Sequence, residues 1–402
     1  MLTVSSSILK RNPKQPISTL TISILMSWYQ VSFFHLASHL QSISSLDMSW
    51  KAEANQRIDQ LRKSDVVVNF VDTVASQLVL EVVQTSQSFP FGQAVNSEHI
   101  AQCRISNDDE VCDYVKNNFN WIVDTFRMKW NAIEPHRGDF KTVFPDQMIF
   151  WAQENNISVR GHSLLWHKSQ PQWSLDLFGE NFTEAMYEYL NRSLDHFDSL
   201  GIKMWDVINE MIDQGEDGHT MYIDQSGDPE IRVKIFKHVK ERYPDTIFFI
   251  NDYGIILDKH DRFNMYRQLI RDLLKSGAPI DAIGIQCHLN GNDVMLYLWL
   301  IRIYYPQRAK RARDIVKVIV FLGNDFLDWI SMKERLDLLW DEFHLPIWAT
   351  EFDWNWRNSV DFGDHSYHAE VIDNFYRLMY SHQVQKESIF YSSAYFNFLH
   401  FF

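Results

Sequence analysis

The chain has 402 residues, of which 46% are hydrophobic and 22% charged, and this balance predicts a globular protein with a large core. Its 52 acidic and 38 basic residues give a net charge of −14, which argues against a general binder of nucleic acid or of an anionic membrane. The cysteines Cys103, Cys112 and Cys287 have no metal-ligand spacing and are too few for a disulfide framework, although one bridge between Cys103 and Cys112 would fit.

Residues 1–48 have no steady hydrophobic period and are predicted to form a leader and a linker. Basic residues precede a short apolar run, Ile17–Met26, as in a signal peptide with a long basic first region. An ordinary N-terminal segment is the alternative, and the run is too short for a persuasive membrane span. Two glycosylation sequons, which begin at Asn181 and Asn191, favour secretion, so we expect a secreted protein with no membrane partner.

Residues 49–90 are predicted to flank the main domain. A polar helix spans Trp50 to Lys63, and two strand-like runs, which begin at Asp65 and Leu78, follow it as a β-hairpin.

Strands and helices alternate over residues 91–402, which we expect to form one catalytic domain. Strand-like runs are predicted over residues 91–96, 123–130, 158–165, 203–209, 246–252, 282–288 and 346–353, and a weaker one over 387–395. Helices are predicted between these strands. One begins at Asp228-Pro229, a second at Asp261, and a third at Ser331 with a capping box.

This alternation predicts an α/β fold with a parallel sheet. Eight strand–helix units predict a (β/α)8 TIM barrel whose last strand is atypical or missing. A doubly wound sheet is the alternative, but no Gly-rich phosphate loop follows any of the strands, which argues against a nucleotide-binding fold.

Polar side chains gather where the predicted strands end. They are Lys129, His162, Asn209, Glu210, Asp252, Gln286, His288, Glu351 and Asp353. In a (β/α)8 barrel these ends converge on one face, where active sites lie. Glu210 and Glu351 end the fourth and seventh strands, across the barrel mouth from each other.

Two such carboxyl groups are the minimum requirement for glycoside hydrolysis, because one protonates the leaving oxygen and the other attacks the sugar or activates a water. The alternative is that each acid is a structural carboxylate. Their neighbours favour catalysis, since Gln286 and His288 share one strand face and Glu351 shares another with Asp353. A histidine beside a carboxylate pair can keep one acid ionised and oriented.

Other strand-end residues suit a sugar site. Asn209 supplies an amide for a sugar 2-hydroxyl, and His162 and Trp166 offer a hydrogen bond and a stacking wall. A zinc site that uses His162, His167 and His288 is the competing interpretation, but no HExxH or HxH pattern is present. No GxSxG elbow indicates a serine hydrolase. We therefore expect neither a metal nor a cofactor.

Six segments resemble the signature blocks of the family 10 glycoside hydrolases, the endo-1,4-β-xylanases. They are FPFGQAV (89–95), RMKWNAIEPHRGDF (127–140), RGHSLLWH (160–167), WDVINE (205–210), GIQCH (284–288) and WATEFD (348–353), in family order. The FPFG segment and residues 49–90 are most similar to the plant and animal branch. The resemblance implies a (β/α)8 barrel that cleaves internal β-1,4-xylosidic bonds in xylan with net retention, and we expect it to act as a monomer.

Carried over block by block, the resemblance implies that Glu210 is the general acid/base and Glu351 the nucleophile. His288 and Asp353 match the pair that keeps the nucleophile ionised. The implied substrate-binding residues are Lys129, His162, Trp166, Asn209, Gln286 and His288.

The chain departs from the family pattern in three places. Thr125 and Phe126 replace a Glu-Asn pair that contacts sugar hydroxyls, and an aromatic ring is expected to fill the space. Residues 295–329 are longer and more basic than the family connection, which indicates a lineage-specific loop or, as we prefer, translated non-coding sequence. The chain ends at Phe402 without the family's closing strand and tryptophans, which predicts a truncated C-terminus.

Three functions agree with these features. The first is a retaining endo-1,4-β-xylanase. The second is a catalytically impaired relative that binds glycans on the same barrel, and the third is a hydrolase of another β-glycan, because fold and carboxylates do not determine the sugar.

Overall fold

The computed structural model describes residues 49–65, 88–105, 109–212, 222–290, 327–355 and 366–382. The chain divides into two compact units, Met1–Glu53 and Ala54–Phe402. In the first unit the described residues, 49–53, are helical. In the second, residues 54–62 are helical and are labelled α1, in agreement with the polar helix predicted over this region.

Several predicted features lie outside the described residues. They are the leader and linker of 1–48, the strands of the flanking hairpin, almost all of the atypical segment 295–329 and the weak strand 387–395. No helix in the described part of the chain is both long enough and apolar enough to cross a lipid bilayer.

Seven parallel strands follow one another in chain order. They are β1 (Gly92–Val95), β2 (Trp121–Asp124), β3 (Ser158–Arg160), β4 (Met204–Asn209), β5 (Ile247–Tyr253), β6 (Ala282–Asn290) and β7 (Ile347–Asn355). Strands β1 to β3 form one sheet and β4 to β7 another. Parallel bridges from Gly161 to Trp205 and from Leu165 to Ile208 join β3 to β4. The strands therefore form one continuous arc in the order that a (β/α)8 barrel requires.

Helices lie between successive strands, as the alternating pattern predicts. After α1 they are α2 (Ser97–Cys103), α3 (Glu110–Asn118), α4 (Trp130–Ile133), α5 (Val143–Glu154), α6 (Gln172–Leu175), α7 (Gly179–Ser199), α8 (Ile223–Ser226), α9 (Ile231–Arg242), α10 (Arg262–Lys275), α11 (Trp329–Phe343) and α12 (Ser366–Ser381). A disulfide, which the sequence left as a possibility, links Cys103 at the end of α2 to Cys112 in α3.

The second strand is shorter than the sequence predicts, because it ends at Asp124 rather than near Trp130. The Asp124 carboxylate accepts hydrogen bonds from the backbone N–H groups of Ser97 (2.9 Å) and Met128 (3.0 Å), and the chain turns there. Lys129 consequently precedes the short helix α4 instead of ending a strand.

The helix before β7 also begins earlier than predicted. Ser331 is not its N-cap, since α11 starts at Trp329 and Asp328 is the capping residue. The Asp328 carboxylate accepts hydrogen bonds from the Ser331 backbone N–H (3.0 Å) and hydroxyl (2.6 Å), so the aspartate supplies the cap.

An aromatic core lies near the starts of the strands. Met204, Phe249, Ala282 and Trp348 are buried together, and the partly buried Trp121 packs against them. The rings of Trp121 and Trp348 meet edge to face at 6.0 Å. Burying each large apolar side chain contributes about 1.5–3 kcal/mol. This core lies toward the starts of the strands, away from the polar residues at their ends.

Gly161 permits the close packing of β3 against β4. A Cβ atom at this position would lie 2.2 Å from Cδ2 of Trp205, whose side chain is fully buried. Any larger residue would therefore push the Trp205 ring out of the core.

Candidate active site

The ends of the strands surround a cavity of about 210 Å³. Its lining residues are Ala94, Val123, Asp124, Thr125, Lys129, Arg160, His162, Trp166, Asn209, Glu210, Gln286, His288 and Glu351. The polar strand-end residues and candidate site residues from the sequence therefore all line this cavity except Asp252 and Asp353, and Asp353 contacts His288.

Glu351, on β7, is anchored through one carboxylate oxygen. His288 Nε2 lies 3.2 Å from Glu351 Oε2, whereas Oε1 has no hydrogen-bond partner among the described residues and is 3.8 Å from His162 Nε2. Burial acts to raise the pKa of Glu351, but the His288 hydrogen bond and nearby positive charge outweigh it and lower the pKa to about 2. The carboxylate is thus ionised, with one oxygen held by His288 and the other lacking a hydrogen-bond partner within the described ranges.

His288 is the cation that holds Glu351. Its Nδ1 lies 2.6 Å from Asp353 Oδ2, so the ring bridges two carboxylates on β7. Burial acts to lower the pKa of His288, but hydrogen bonds to Asp353 and Glu351 raise it to about 10. The ring is therefore an imidazolium at neutral pH, and both ring nitrogens donate.

A second, deeper charge cluster lies on β3 and β4. Asp206 Oδ2 accepts hydrogen bonds from Arg160 Nη1 and from His162 Nδ1, the latter at 2.6 Å. Arg160 and Asp206 are fully buried. Because the Nδ1 atom of His162 faces Asp206, its Nε2 atom faces the cavity and Glu351.

Glu210 follows the last residue of β4 and is nearly buried. Its Oε2 accepts hydrogen bonds from Trp166 Nε1 and from Lys168 Nζ, both at 2.9 Å. Its Oε1 accepts one from Gln286 Nε2 at 3.2 Å. Gln286 and His288 thus connect the two acids across the cavity, since Gln286 Oε1 is 3.1 Å from His288 Nε2.

The backbone around Glu210 is held by β5. Glu210 has φ of 61°, in the left-handed region that non-glycine residues seldom adopt. Its N–H donates to the carbonyl of Asn251 at 2.9 Å, and the N–H of Ile212 donates to the Asp252 carboxylate at 2.9 Å. Arg262 also bonds to Asp252, at 2.6 Å. Neighbouring contacts therefore maintain the unusual backbone that points Glu210 into the cavity.

Asn209 and Lys129 complete the polar wall. Asn209 is buried, and its Oδ1 accepts hydrogen bonds from Asn251 Nδ2 (3.0 Å) and Gln286 Nε2 (3.3 Å), which leave its Nδ2 without a partner among the described residues. The Lys129 ammonium lies 4.6 Å from the centre of the Trp166 ring. Burial lowers the pKa of Lys129, although nearby acids, of which Glu351 has the largest effect, oppose this.

The two residues that depart from the family pattern lie in different places. Thr125 lines the cavity, whereas the Phe126 side chain is 48% exposed and does not line it. Its ring packs against the guanidinium of Arg127, which also lies over Phe144. The expectation that the aromatic ring fills the lost space is therefore wrong: Thr125 leaves that wall small.

Three residues at the site were not predicted from the sequence: Arg160, Asp206 and Lys168. Arg160 and Asp206 lie within the recognised segments RGHSLLWH and WDVINE, and a charge inside an apolar strand was the available signal. Lys168 carries no such signal, because its contact with Glu210 joins segments 42 residues apart.

Potential metal ligands are close together at one place in the described part of the chain. His99, Asp109 and Cys112 have ligand atoms within 4.8 Å of one another. Because Cys112 is in the disulfide, it has no thiolate to offer.

The sequence profile of Glycosyl hydrolase family 10 matches residues 80–301, which is more than half of the chain. This chain belongs to glycosyl hydrolase family 10. Within the family's architecture, the seven strands form the corresponding part of a (β/α)8 TIM barrel, as the sequence predicts. Xylanase 10B from Thermotoga petrophila, solved in complex with xylobiose, superposes with a TM-score of 0.59 and 21% identity, over 76% of this chain and 82% of that one.

Two proteins are similar to this chain in sequence over part of their own length. Endo-1,4-beta-xylanase 1 of Arabidopsis thaliana is 31% identical over 242 residues, which cover 58% of this chain and 24% of the relative. Anti-sigma-I factor RsgI6 of Acetivibrio thermocellus is 28% identical over 347 residues, which cover 85% of this chain and 38% of the relative. The chain thus spans well under half the length of these two relatives.

Proposed function

We propose that this chain is a retaining endo-1,4-β-xylanase, which cleaves internal β-1,4-xylosidic bonds in xylan. The main support is the position of Glu351, which lines the same cavity as Glu210. His288 anchors one oxygen of Glu351, and the other has no partner among the described residues. An ionised carboxylate with one free oxygen is suited to attack a sugar carbon, and a second carboxyl group nearby is suited to proton transfer.

The reaction would take two steps. First, Glu351 Oε1 bonds to the anomeric carbon, the glycosidic C–O bond breaks, and Glu210 gives its proton to the departing oxygen. Glu210 then takes a proton from water, whose oxygen displaces Glu351 from the same carbon. Because each step inverts that carbon, the product keeps the original configuration. This mechanism needs the carboxyl groups about 5–5.5 Å apart.

The cavity wall supplies contacts for the sugar under attack. The Nδ2 atom of Asn209, which has no partner among the described residues, is suited to a 2-hydroxyl, and the Trp166 ring is suited to stacking. Lys129, whose ammonium lies 4.6 Å from the centre of the Trp166 ring, and His162 add polar contacts. These contacts are suited to binding one sugar residue of the substrate, such as a pentose, in the cavity.

Xylan is the favoured substrate because several relatives of similar sequence are named as xylanases, among them the Arabidopsis thaliana protein. The decisive test is the release of reducing sugar from xylan, cellulose and mixed-linkage glucan by the purified chain, with E351Q as the inactive control. We expect release from xylan that E351Q lacks. Proton NMR of the first product should show the β-anomer, and an initial α-anomer would refute retention.

A second candidate function is a catalytically impaired glycan-binding protein. Thr125 and Phe126, which replace an acid and an amide, favour it, and RsgI6, named as an anti-sigma factor, is similar over most of this chain. No sugar release from any of the three glycans, together with retained binding to xylan in a gel-shift assay, would support this candidate over the first.

We also propose that the protein is secreted and monomeric. The Cys103–Cys112 disulfide suits an oxidising compartment. The sequon residue Asn181 is exposed at the start of α7, whereas Asn191 accepts a hydrogen bond from His238 at 2.7 Å. Glycosylation is therefore expected at Asn181: N181Q should remove a glycan from the secreted protein, as seen by mass spectrometry, and N191Q should not.

A further inference from the structure

Lys168 places a positive charge on the solvent side of Glu210. It lies in a short turn two residues after Trp166, and its ammonium is 2.9 Å from Glu210 Oε2. The Lys168 side chain is 45% exposed and that of Glu210 is 9% exposed. The ammonium also lies 5.7 Å from the centre of the Trp166 ring and 5.5 Å from that of Tyr253. The acid at the cavity mouth is therefore covered by a cation between two aromatic rings.

Among the described residues, three side chains bond to the Glu210 carboxylate, and all three are donors. Trp166 and Lys168 share Oε2, and Gln286 bonds to Oε1. An indole N–H and an ammonium cannot accept a proton. The Gln286 amide is oriented by His288, because the imidazolium donates to Gln286 Oε1 at 3.1 Å and so turns Nε2 toward Glu210. These contacts match an ionised carboxylate, and none of them receives the proton of a neutral acid.

The proposed mechanism needs Glu210 in both forms: protonated when the glycosidic bond breaks and ionised when water attacks. Its surroundings match the second form. Trp166 and Gln286 are neutral, so each discriminates less between protonated and ionised Glu210 than a cation does. Among these three donors, Lys168 therefore contributes most to the preference for the ionised form. Other charged groups line the cavity with Glu210. They are Asp124 and Lys129 at the exit of β2, Arg160 and His162 at the end of β3, His288 on β6 and Glu351 on β7, and Asp252 on β5 also interacts with Glu210.

We propose that Lys168 is a positioning residue that holds Glu210 ionised and thereby sets the upper pH at which Glu210 can act as an acid. The inference rests on the proposed function for its catalytic consequence. Lys168 neither gives nor takes a proton in either step. It must withdraw from Oε2, or share it, when Glu210 carries its proton, and its exposed position allows this.

The first experiment measures the ionisation of Glu210 directly. The carbon-13 NMR signal of its carboxyl, assigned as the one lost in E210Q, is titrated in the wild type, K168M, K168R and K203M. Lys203 is a matched control, since it is 46% exposed, is paired with Asp198 and precedes the opposite end of β4. We expect K168M to move the titration midpoint up by about one pH unit, because an opposite charge has been removed from a partly exposed pair. K203M and K168R should stay near the wild-type midpoint.

The second experiment measures the catalytic consequence with two aryl β-xylobiosides. Phenol is a poor leaving group and needs the proton of Glu210, whereas dinitrophenol leaves without it. In K168M the alkaline limb of kcat/KM for the phenyl substrate should move to higher pH. The rate above that limb should rise up to about tenfold, since one pH unit is a factor of ten in protonation. The dinitrophenyl substrate should show no such change.

An unchanged NMR midpoint in K168M would overturn the inference, and so would K168R behaving like K168M, since charge would then be irrelevant. A purely structural role would lower the rates for both substrates without moving the limb, and this outcome also rejects the inference. If the midpoint moves but no variant, including the wild type, hydrolyses either substrate, Lys168 controls ionisation as inferred and the proposed hydrolase function fails instead.

Discussion

Replacing Asp353 by Asn tests whether the Asp353 carboxylate keeps His288, the hydrogen-bond partner of Glu351, positively charged. His288 joins the two acids, at 2.6 Å from Asp353 and 3.2 Å from Glu351. Burial acts to lower the pKa of His288, and the bonds to both carboxylates raise it to about 10. Because one opposite charge at such a distance shifts a pKa by about 1–3 units, D353N should lower the pKa of His288 to between about 7 and 9.

The lower pKa of His288 in D353N changes the free energy of unfolding in a direction that depends on pH. A histidine whose pKa is raised on folding stabilises the protein below its unfolded pKa of about 6.5, and that contribution disappears as the pH rises through about 10. At about 1.4 kcal/mol for each pH unit, a loss of 1–3 units corresponds to about 1–4 kcal/mol at pH 6. We therefore expect D353N to lower the free energy of unfolding by this amount at pH 6, and by much less at pH 10.5.

Urea unfolding of the wild type and D353N at both pH values measures the effect. The matched control is D146N, which removes the carboxylate of another His–Asp pair, Asp146 with His196 at 2.7 Å, away from the cavity. D146N should retain turnover. The acid limb of kcat/KM should stay in place in D353N, because a His288 with a pKa between about 7 and 9 remains a cation at acid pH and still holds the pKa of Glu351, about 2 in the wild type, below its usual value. Equal stability at pH 6, or a difference that does not shrink at pH 10.5, would show that the bridge does not act through charge.

Three further variants test other parts of the site and the fold. E351Q should lose turnover by about 10⁴-fold or more while its circular dichroism stays that of the wild type, and a Gln variant with wild-type turnover would reject Glu351 as the nucleophile. G161A should lower the free energy of unfolding by about 1–3 kcal/mol in urea titration, because its methyl group would meet the Trp205 ring; an unchanged value would mean that the ring relaxes freely. The double variant T125E/F126N restores the acid and amide of the family pattern and should raise kcat/KM on xylo-oligosaccharides about tenfold or more, whereas no gain would mean that the present wall already binds the sugar.

Much of the site could be predicted without coordinates. The alternation of short apolar runs with helical periods indicated parallel strands, and polar residues at the strand exits indicated a shared face. Glu210, Asn209, Gln286, His288 and Glu351 were predicted together and line one cavity. These inferences succeeded because strand period and strand ends are local properties of the chain. Element boundaries were less accurate at β2, where the side chain of Asp124 bonds to two backbone N–H groups and ends the strand.

Short contiguous segments were enough to predict the parallel α/β architecture, the two acids and the family of the chain. Which charges meet depends on the folded chain: His288 bridges Glu351 and Asp353, Asp206 orients His162, and Lys168 covers Glu210. The ionisation of a buried acid depends on neighbours brought from other strands when the sheet curves, and no single segment encodes these distances.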